Sequence, residues 1–147
     1  MVSLTSSNDF LTTRAWHRAV VGGKDMILRS TSALEFLELF GGYMREKKID
    51  VYAKKRGVYE DIDYRVVDSF DGIDYIRMGN VLCTSANQTF NDMLYDYSSV
   101  DEQSLVEGLS RYYYTHGTSF DGLIIKPENM RRFNFVKDWA IEYYSED

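Results

Sequence analysis

The stretch Val81-Leu82-Cys83-Thr84-Ser85-Ala86-Asn87-Gln88-Thr89-Phe90-Asn91-Asp92-Met93-Leu94 most constrains what this chain can fold into. It opens on an apolar run of strand-forming residues, the pattern of a buried strand. Thr84 or Ser85 then offers a hydroxyl to the free N–H groups at a helix start. Phe90, Met93, Leu94 and Tyr97 recur at helical spacing, so this helix turns one apolar face back onto a sheet. Such a sequence asks for layered helices and strands.

Other elements follow from the same logic. Ser7-Asn8-Asp9 reads as the cap of a first helix, in which Leu11, Ala15, Ala19 and Val20 recur beside Trp16, ended by Gly22-Gly23. Met26-Ile27-Leu28 reads as a short strand. Ser32-Ala33-Leu34-Glu35 matches a capping box, opening a helix that sends Leu34, Leu37, Leu39 and Phe40 to the core and stops at Gly41-Gly42. About four strands are expected between Lys48 and Cys83, with turns at Arg56-Gly57, Asp71-Gly72 and Met78-Gly79. Short connections favour antiparallel pairing. Ser99-Val100-Asp101-Glu102 is a second capping box, before a helix that buries Leu105, Leu109 and Tyr112-Tyr113 and ends at His116-Gly117. Ser119–Ile125 is ambiguous between helix and strand. Pro127 suits the first turn of a last helix, with Phe133, Val136, Ala140 and Tyr143 at helical spacing. The expected fold is one α+β domain over residues 1–147, a mostly antiparallel sheet of about four strands packed by helices from both ends of the chain.

Composition narrows the function classes. The chain has 147 residues, enough for one core, and 44% are hydrophobic. No apolar run approaches the roughly 20 residues of a membrane span, no signal peptide is evident, and Cys83 is the lone cysteine, so a cytoplasmic location is expected. The net charge of -6 counts against a dedicated nucleic-acid binder. The charge is uneven, however. Arg45, Lys47, Lys48, Lys54, Lys55 and Arg56 cluster ahead of Glu60, Asp61, Asp63, Asp68, Asp71 and Asp74. The basic group is the candidate surface for a partner or a nucleic acid, with a solvated charged hairpin as the simpler reading.

No catalytic constellation emerges. His17 and His116 lack metal-ligand spacing; they read as a helix-surface and a helix-end residue. Cys83 reads as a buried, inert thiol. Asp121-Gly122-Leu123-Ile124-Ile125-Lys126 imitates a motif of DNA-ligase-type nucleotidyltransferases, but the Lys-x-Asp-Gly nucleophile motif is missing. Tyr112-Tyr113-Tyr114 and Tyr143-Tyr144 read as packing or interface residues. No cofactor, metal or catalytic residue is assigned.

Two segments carry a family resemblance. Leu28-Arg29-Ser30-Thr31-Ser32-Ala33-Leu34 with Leu39-Phe40-Gly41 resembles the Ser-Ala-Leu helix and glycine stop of AbiEi-type antitoxins of type IV toxin–antitoxin, or abortive-infection, systems. Cys83–Leu94 is similar to their Thr-Ser-x-x-Arg-Thr-apolar-x-Asp-Leu-apolar segment. Ser32, Thr84, Ser85, Thr89 and Asp92 match, and Gln88 stands where Arg is usual. The resemblance implies an antitoxin domain that neutralises or regulates a nucleotidyltransferase-like toxin in phage defence. The family's winged helix-turn-helix has no counterpart in the roughly 25 residues before the Ser-Ala-Leu region, too few for an independent domain. The expectation is therefore a non-catalytic antitoxin-like protein with a protein partner, in which the matched motif residues serve structure. Two alternatives stand beside it. One is a small magnesium-dependent nucleotide-handling enzyme using carboxylates such as Asp50, Asp63 or Asp92. The other is a nucleic-acid-binding regulator using the basic group. Aromatic surface would also allow a homodimer, which the sequence alone does not decide.

Overall fold

The computed structural model describes residues 13–41 and 48–144. Its elements run α1 (Thr13–Val21), β1 (Met26–Leu28), α2 (Ser30–Phe36), β2 (Ile49–Ala53), β3 (Ile62–Val66), β4 (Tyr75–Met78), β5 (Val81–Thr84), α3 (Ala86–Tyr95), α4 (Glu102–Thr115) and α5 (Pro127–Tyr143), with a 3-10 turn at Tyr97–Ser99. The α+β class holds, with four strands between Lys48 and Thr84 and β1 as a fifth. The expected cap at Ser7-Asn8-Asp9, together with Leu11, Gly42, Arg45 and Lys47, lies outside the described residues.

The sheet has the order β3-β2-β1-β5-β4 and is mixed. The β1–β2 and β4–β5 pairs are antiparallel; β1–β5 and β2–β3 are parallel. The β2–β3 pair departs from the antiparallel expectation, so the charged segment between them is not a hairpin. A five-residue strand is about 15 Å long, and the eight residues from Lys54 to Asp61 can span about 26 Å. A short return along the sheet edge therefore suffices. The β4–β5 hairpin is as expected: Met78 pairs Val81, and Gly79 takes the positive φ of 63° that the tight turn needs.

One sheet face is apolar. Leu28, Ile49, Val51, Ala53, Ile62, Val81 and Cys83 bury themselves there against Trp16, Val20 and Val21 of α1 and Ala33 and Phe36 of α2. The buried stripe of α1 includes His17, with no exposure, while Ala19 is exposed; the surface expectation for His17 and the core expectation for Ala19 are both corrected. Tertiary contacts account for this: the His17 ring stacks beside Trp16, packs against Phe36, and its Nε2 lies 3.9 Å from Glu35. On the other face the segment after β3 crosses the sheet, with Val67, Phe70 and Ile73 covering Ile27, Tyr52 and Leu82.

A second core lies between the helices. Phe90, Met93 and Leu94 of α3, Leu105, Leu109 and Tyr112 of α4, and Phe133, Val136 and Ala140 of α5 enclose it with Leu34, Leu39 and Phe40. Each large side chain there contributes roughly 1.5–3 kcal/mol through burial. Trp139 and Tyr143, by contrast, stand partly in solvent.

The helix ends show which local signals operate. Ser85 caps α3, its Oγ accepting the Gln88 N–H at 3.1 Å, and Pro127 opens α5. The second capping box is displaced: Asp101, not Ser99, caps α4 by accepting the Ser104 N–H at 2.9 Å. The first is displaced too. Arg29 is the extended residue before α2, and Ser32 lies inside the helix. This helix ends at Phe36, well before Gly41, in a Schellman motif: the Leu39 N–H donates to the Leu34 carbonyl at 2.8 Å and Glu38 N–H to Glu35 at 3.1 Å. Glu38 takes the left-handed position, φ 64°, that glycine usually fills. Residues 119–126 form an ordered connection without helix or strand, held by side-chain amides. Asn87 accepts the Ile124 N–H at 2.6 Å, while Asn91 donates to the Ile124 carbonyl and accepts the Lys126 N–H, both at 2.9 Å.

Candidate functional site

The alternation of β2 and β3 sends their polar residues to the face opposite the apolar core. Asp50 pairs in register with Asp63, and Tyr52 with Arg65. Arg29, at the end of β1, is 5% exposed. Its guanidinium carbon lies 5.0 Å from the Tyr52 ring centre, and its Nη2 is 3.4 Å from Asp96. Asp96, just after α3, also accepts from Arg65 at 3.2 Å. Burial, partly offset by Arg29 and reinforced by Asp63, pushes the Asp50 carboxyl up to about 6. The Tyr52 hydroxyl is pushed up to about 12, chiefly by burial and then by Asp92, to which it donates at 2.7 Å.

This arrangement separates the three carboxylates considered for magnesium. Asp50 and Asp63 are strand neighbours, whereas Asp92 is engaged by Tyr52 and by Gln88 Nε2 at 2.8 Å. Two arginines supply positive charge in the same region. Among the described residues no group of three or more His, Cys, Asp or Glu side chains is placed to hold a metal ion. Cys83 is buried, its thiol 3.4 Å from the Thr84 carbonyl.

The family-motif residues make internal hydrogen bonds. Ser32 Oγ accepts the Asp50 N–H at 2.8 Å and donates to the Lys48 carbonyl at 3.4 Å, tying α2 to the start of β2. Thr84 and Thr89 share a hydroxyl–hydroxyl bond of 2.6 Å across the β5–α3 junction, and Thr89 also donates to the Ser85 carbonyl at 2.7 Å. Ser85 donates to Asp74 at 2.6 Å, closing the loop before β4 onto the cap. Asp92 then links α3 to β2.

The described members of the basic group, Lys48, Lys54, Lys55 and Arg56, rim two concavities around the β2–β3 connection. One, of about 320 Å³, is lined by Lys24, Asp25, Met26, Lys54, Lys55, Tyr59 and Tyr64. The other, of about 540 Å³, lies between Lys48, Arg56, Val58, Tyr59 and Tyr64, with Glu60 and Asp63 also on its wall. Gly57 borders both; a Cβ there would sit 2.7 Å from Tyr64 Cζ, so glycine permits this close approach. Val58 is 71% exposed. Not all the cations are equivalent: Lys54 Nζ is 3.3 Å from Asp25 and 4.9 Å from the Phe70 ring centre. Lys24 and the apolar walls escaped sequence reading, because Met26 and Tyr64 reach this surface only through the fold.

No helix among the described residues is long and apolar enough to cross a membrane. Compared with known proteins, the chain matches no family model and no curated protein.

Proposed function

We propose that this is a non-catalytic, antitoxin-like protein that binds and neutralises a nucleotidyltransferase-like partner through the surface around the β2–β3 connection. One observation carries the reading: a chain of net charge -6 gathers Lys24, Lys48, Lys55 and Arg56, interspersed with Asp25, Glu60 and Asp63, around two adjoining concavities walled by Tyr59, Tyr64 and the exposed Val58. Aromatic walls with a charged rim are the anatomy of a protein interface. Nucleotidyl transfer relies on carboxylates that hold Mg²⁺, so such a partner offers an acidic surface to this rim. The internal bonding of Ser32, Thr84, Ser85, Thr89 and Asp92 supports the same reading, since these matched residues are engaged in holding the fold.

The nucleic-acid alternative is less well served. Phosphate tracking favours a continuous basic surface, whereas Asp25, Glu60 and Asp63 interrupt the described lysines and Arg56 here, and Lys54 Nζ lies 3.3 Å from Asp25. The test is affinity capture from the native host, with the intact chain and a Lys55→Glu/Arg56→Glu variant, followed by co-expression with any captured nucleotidyltransferase-like protein. Stoichiometric capture and rescue of growth by the natural chain alone are expected. Equal capture by both chains, or toxicity that persists with the natural chain, would remove the reading.

A further inference from the structure

The smaller of the two concavities has an apolar floor and a charged mouth. Met26 and Ala53, register partners at the end of the β1–β2 ladder, contribute to its floor, and Tyr59 and Tyr64 to its walls. Met26, Tyr59 and Tyr64 are only partly buried by the described residues, so apolar surface faces this space. At about 320 Å³ it lies at the small end of the roughly 300–1,000 Å³ range of ligand sites, which suits a small ring system and not a dinucleotide. Its shape is set before anything binds. The floor belongs to paired strands, and Gly57 lets the loop backbone lie against the Tyr64 ring. A site formed in advance loses little freedom on binding.

The charges at the mouth do not cancel. Lys24, Asp25, Lys54 and Lys55 stand there, while Glu60 and Asp63 border the neighbouring concavity. Lys54 Nζ and Asp25 are 3.3 Å apart and offset each other. Lys24 and Lys55 remain, and neither makes an ion pair with a described residue. Lys24 Nζ is 6.0 Å from the Tyr59 ring centre, so one of these cations stands close to an aromatic wall.

We propose that this concavity binds a small aromatic carboxylate, its ring against Tyr59 and Tyr64 over Met26 and its carboxylate at Lys24 and Lys55. Tyrosine walls favour an aromatic guest through stacked or edge contacts. A guest without charge leaves the two cations unused, and an anion without a ring leaves the apolar floor in water. The site lies within the surface proposed above to meet a protein partner, but ligand binding there needs no such partner.

Titration of the isotope-labelled full chain with naphthoate, followed by its amide chemical shifts, tests the proposal. Saturable shifts centred on Met26, Lys55, Gly57 and Tyr59 are expected, with a Kd of about 1 mM or tighter. The uncharged naphthylmethanol should bind about five-fold more weakly, as should naphthoate to a Lys24→Gln/Lys55→Gln variant. Both lysines are exposed, so that variant keeps the natural spectrum elsewhere. Tyr59→Ala should weaken binding about five-fold or more. The absence of saturable shifts up to about 5 mM overturns the proposal. So do shifts centred on another surface, equal affinity for the charged and uncharged compounds, or undiminished binding by the lysine variant. None of these results bears on affinity capture, which reads a protein partner.

Discussion

Replacing Asp50 by Asn should stabilise the protein at neutral pH and leave it little changed near pH 4. Asp50 lies in β2 beside Asp63, and burial is the largest influence on it, so its carboxyl holds a proton up to about pH 6, against an ordinary value of 3.8. A carboxyl that binds its proton more tightly when folded does not penalise folding below its ordinary value. The penalty grows as pH rises towards 6 and is fully present above it. The interval from 3.8 to about 6, at about 1.4 kcal/mol per pH unit, corresponds to about 3 kcal/mol at pH 7.5. About 0.5 kcal/mol of this is already present at pH 4, so the part that changes is about 2.5 kcal/mol. Asn keeps the shape of Asp and cannot ionise. The stability difference between the Asn variant and the natural chain should therefore rise by about 2.5 kcal/mol between pH 4 and pH 7.5, about 5–10 °C in melting temperature. Urea unfolding of both chains at several pH values, followed by circular dichroism, measures it. A difference independent of pH, or one that favours the natural chain as pH rises, would refute the assignment of a costly charge to Asp50.

Three further variants probe separate parts of the fold. Glu38→Gly should stabilise by roughly 0.5–1 kcal/mol in chemical denaturation, because glycine adopts the φ of 64° at the end of α2 without a Cβ penalty; a loss of stability would contradict that account. Gly108→Val should cost roughly 3 kcal/mol or more, since even a Cβ at Gly108 would lie 3.0 Å from Leu34 Cδ1 and 3.2 Å from Phe90 Cε1; an unchanged melting temperature would show that α4 can move away from α2 and α3. Arg29→Met should cost roughly 3–5 kcal/mol at neutral pH by removing a buried cation from between Tyr52 and Asp96, and less near pH 4, where Asp50 is protonated; equal losses at both pH values would count against a charge-based role.

The features that could be read in advance act over a few residues. Ser85 caps because its hydroxyl reaches an N–H three residues on, and Pro127 opens a helix because its fixed φ suits the first turn. Gly79 turns the β4–β5 hairpin for an equally local reason. The second capping box failed within that same range, because Asp101 competes with Ser99 for the start of α4 and a carboxylate is equally able to accept the free N–H. The remaining departures are set by distant residues. Ser32 resembles a helix cap, but its hydroxyl serves the Asp50 N–H on a strand 18 residues later. His17 is polar by composition and buried against Phe36, 19 residues on. Arg29 meets Asp96 across 67 residues, so the cluster on the sheet's polar face has no sequence motif. The parallel β2–β3 pair escaped because the usual length rule for parallel connections assumes a helical crossover, and this chain returns through eight residues of bends and a turn.

That edge strand also links two features that look separate. In β3, Arg65 faces the polar cluster, while Ile62 and Tyr64 line the concavity beside Gly57, which Asp63 also borders. Tyr64 cannot change its height above Gly57 without shifting the strand whose next residues are Asp63 and Arg65. Arg65 is in turn held by Asp96, and Asp96 by the buried Arg29. Arg29, Asp96 and Arg65 thus form one chain of contacts from β1 to the edge strand that lines this surface. Helix α5 is joined to the same chain of contacts, because Tyr97, the neighbour of Asp96, packs against Arg132. Perturbations at Asp50 and Gly57 act on neighbouring positions of one sheet edge and are expected not to add independently, which a double-mutant cycle in urea unfolding would measure.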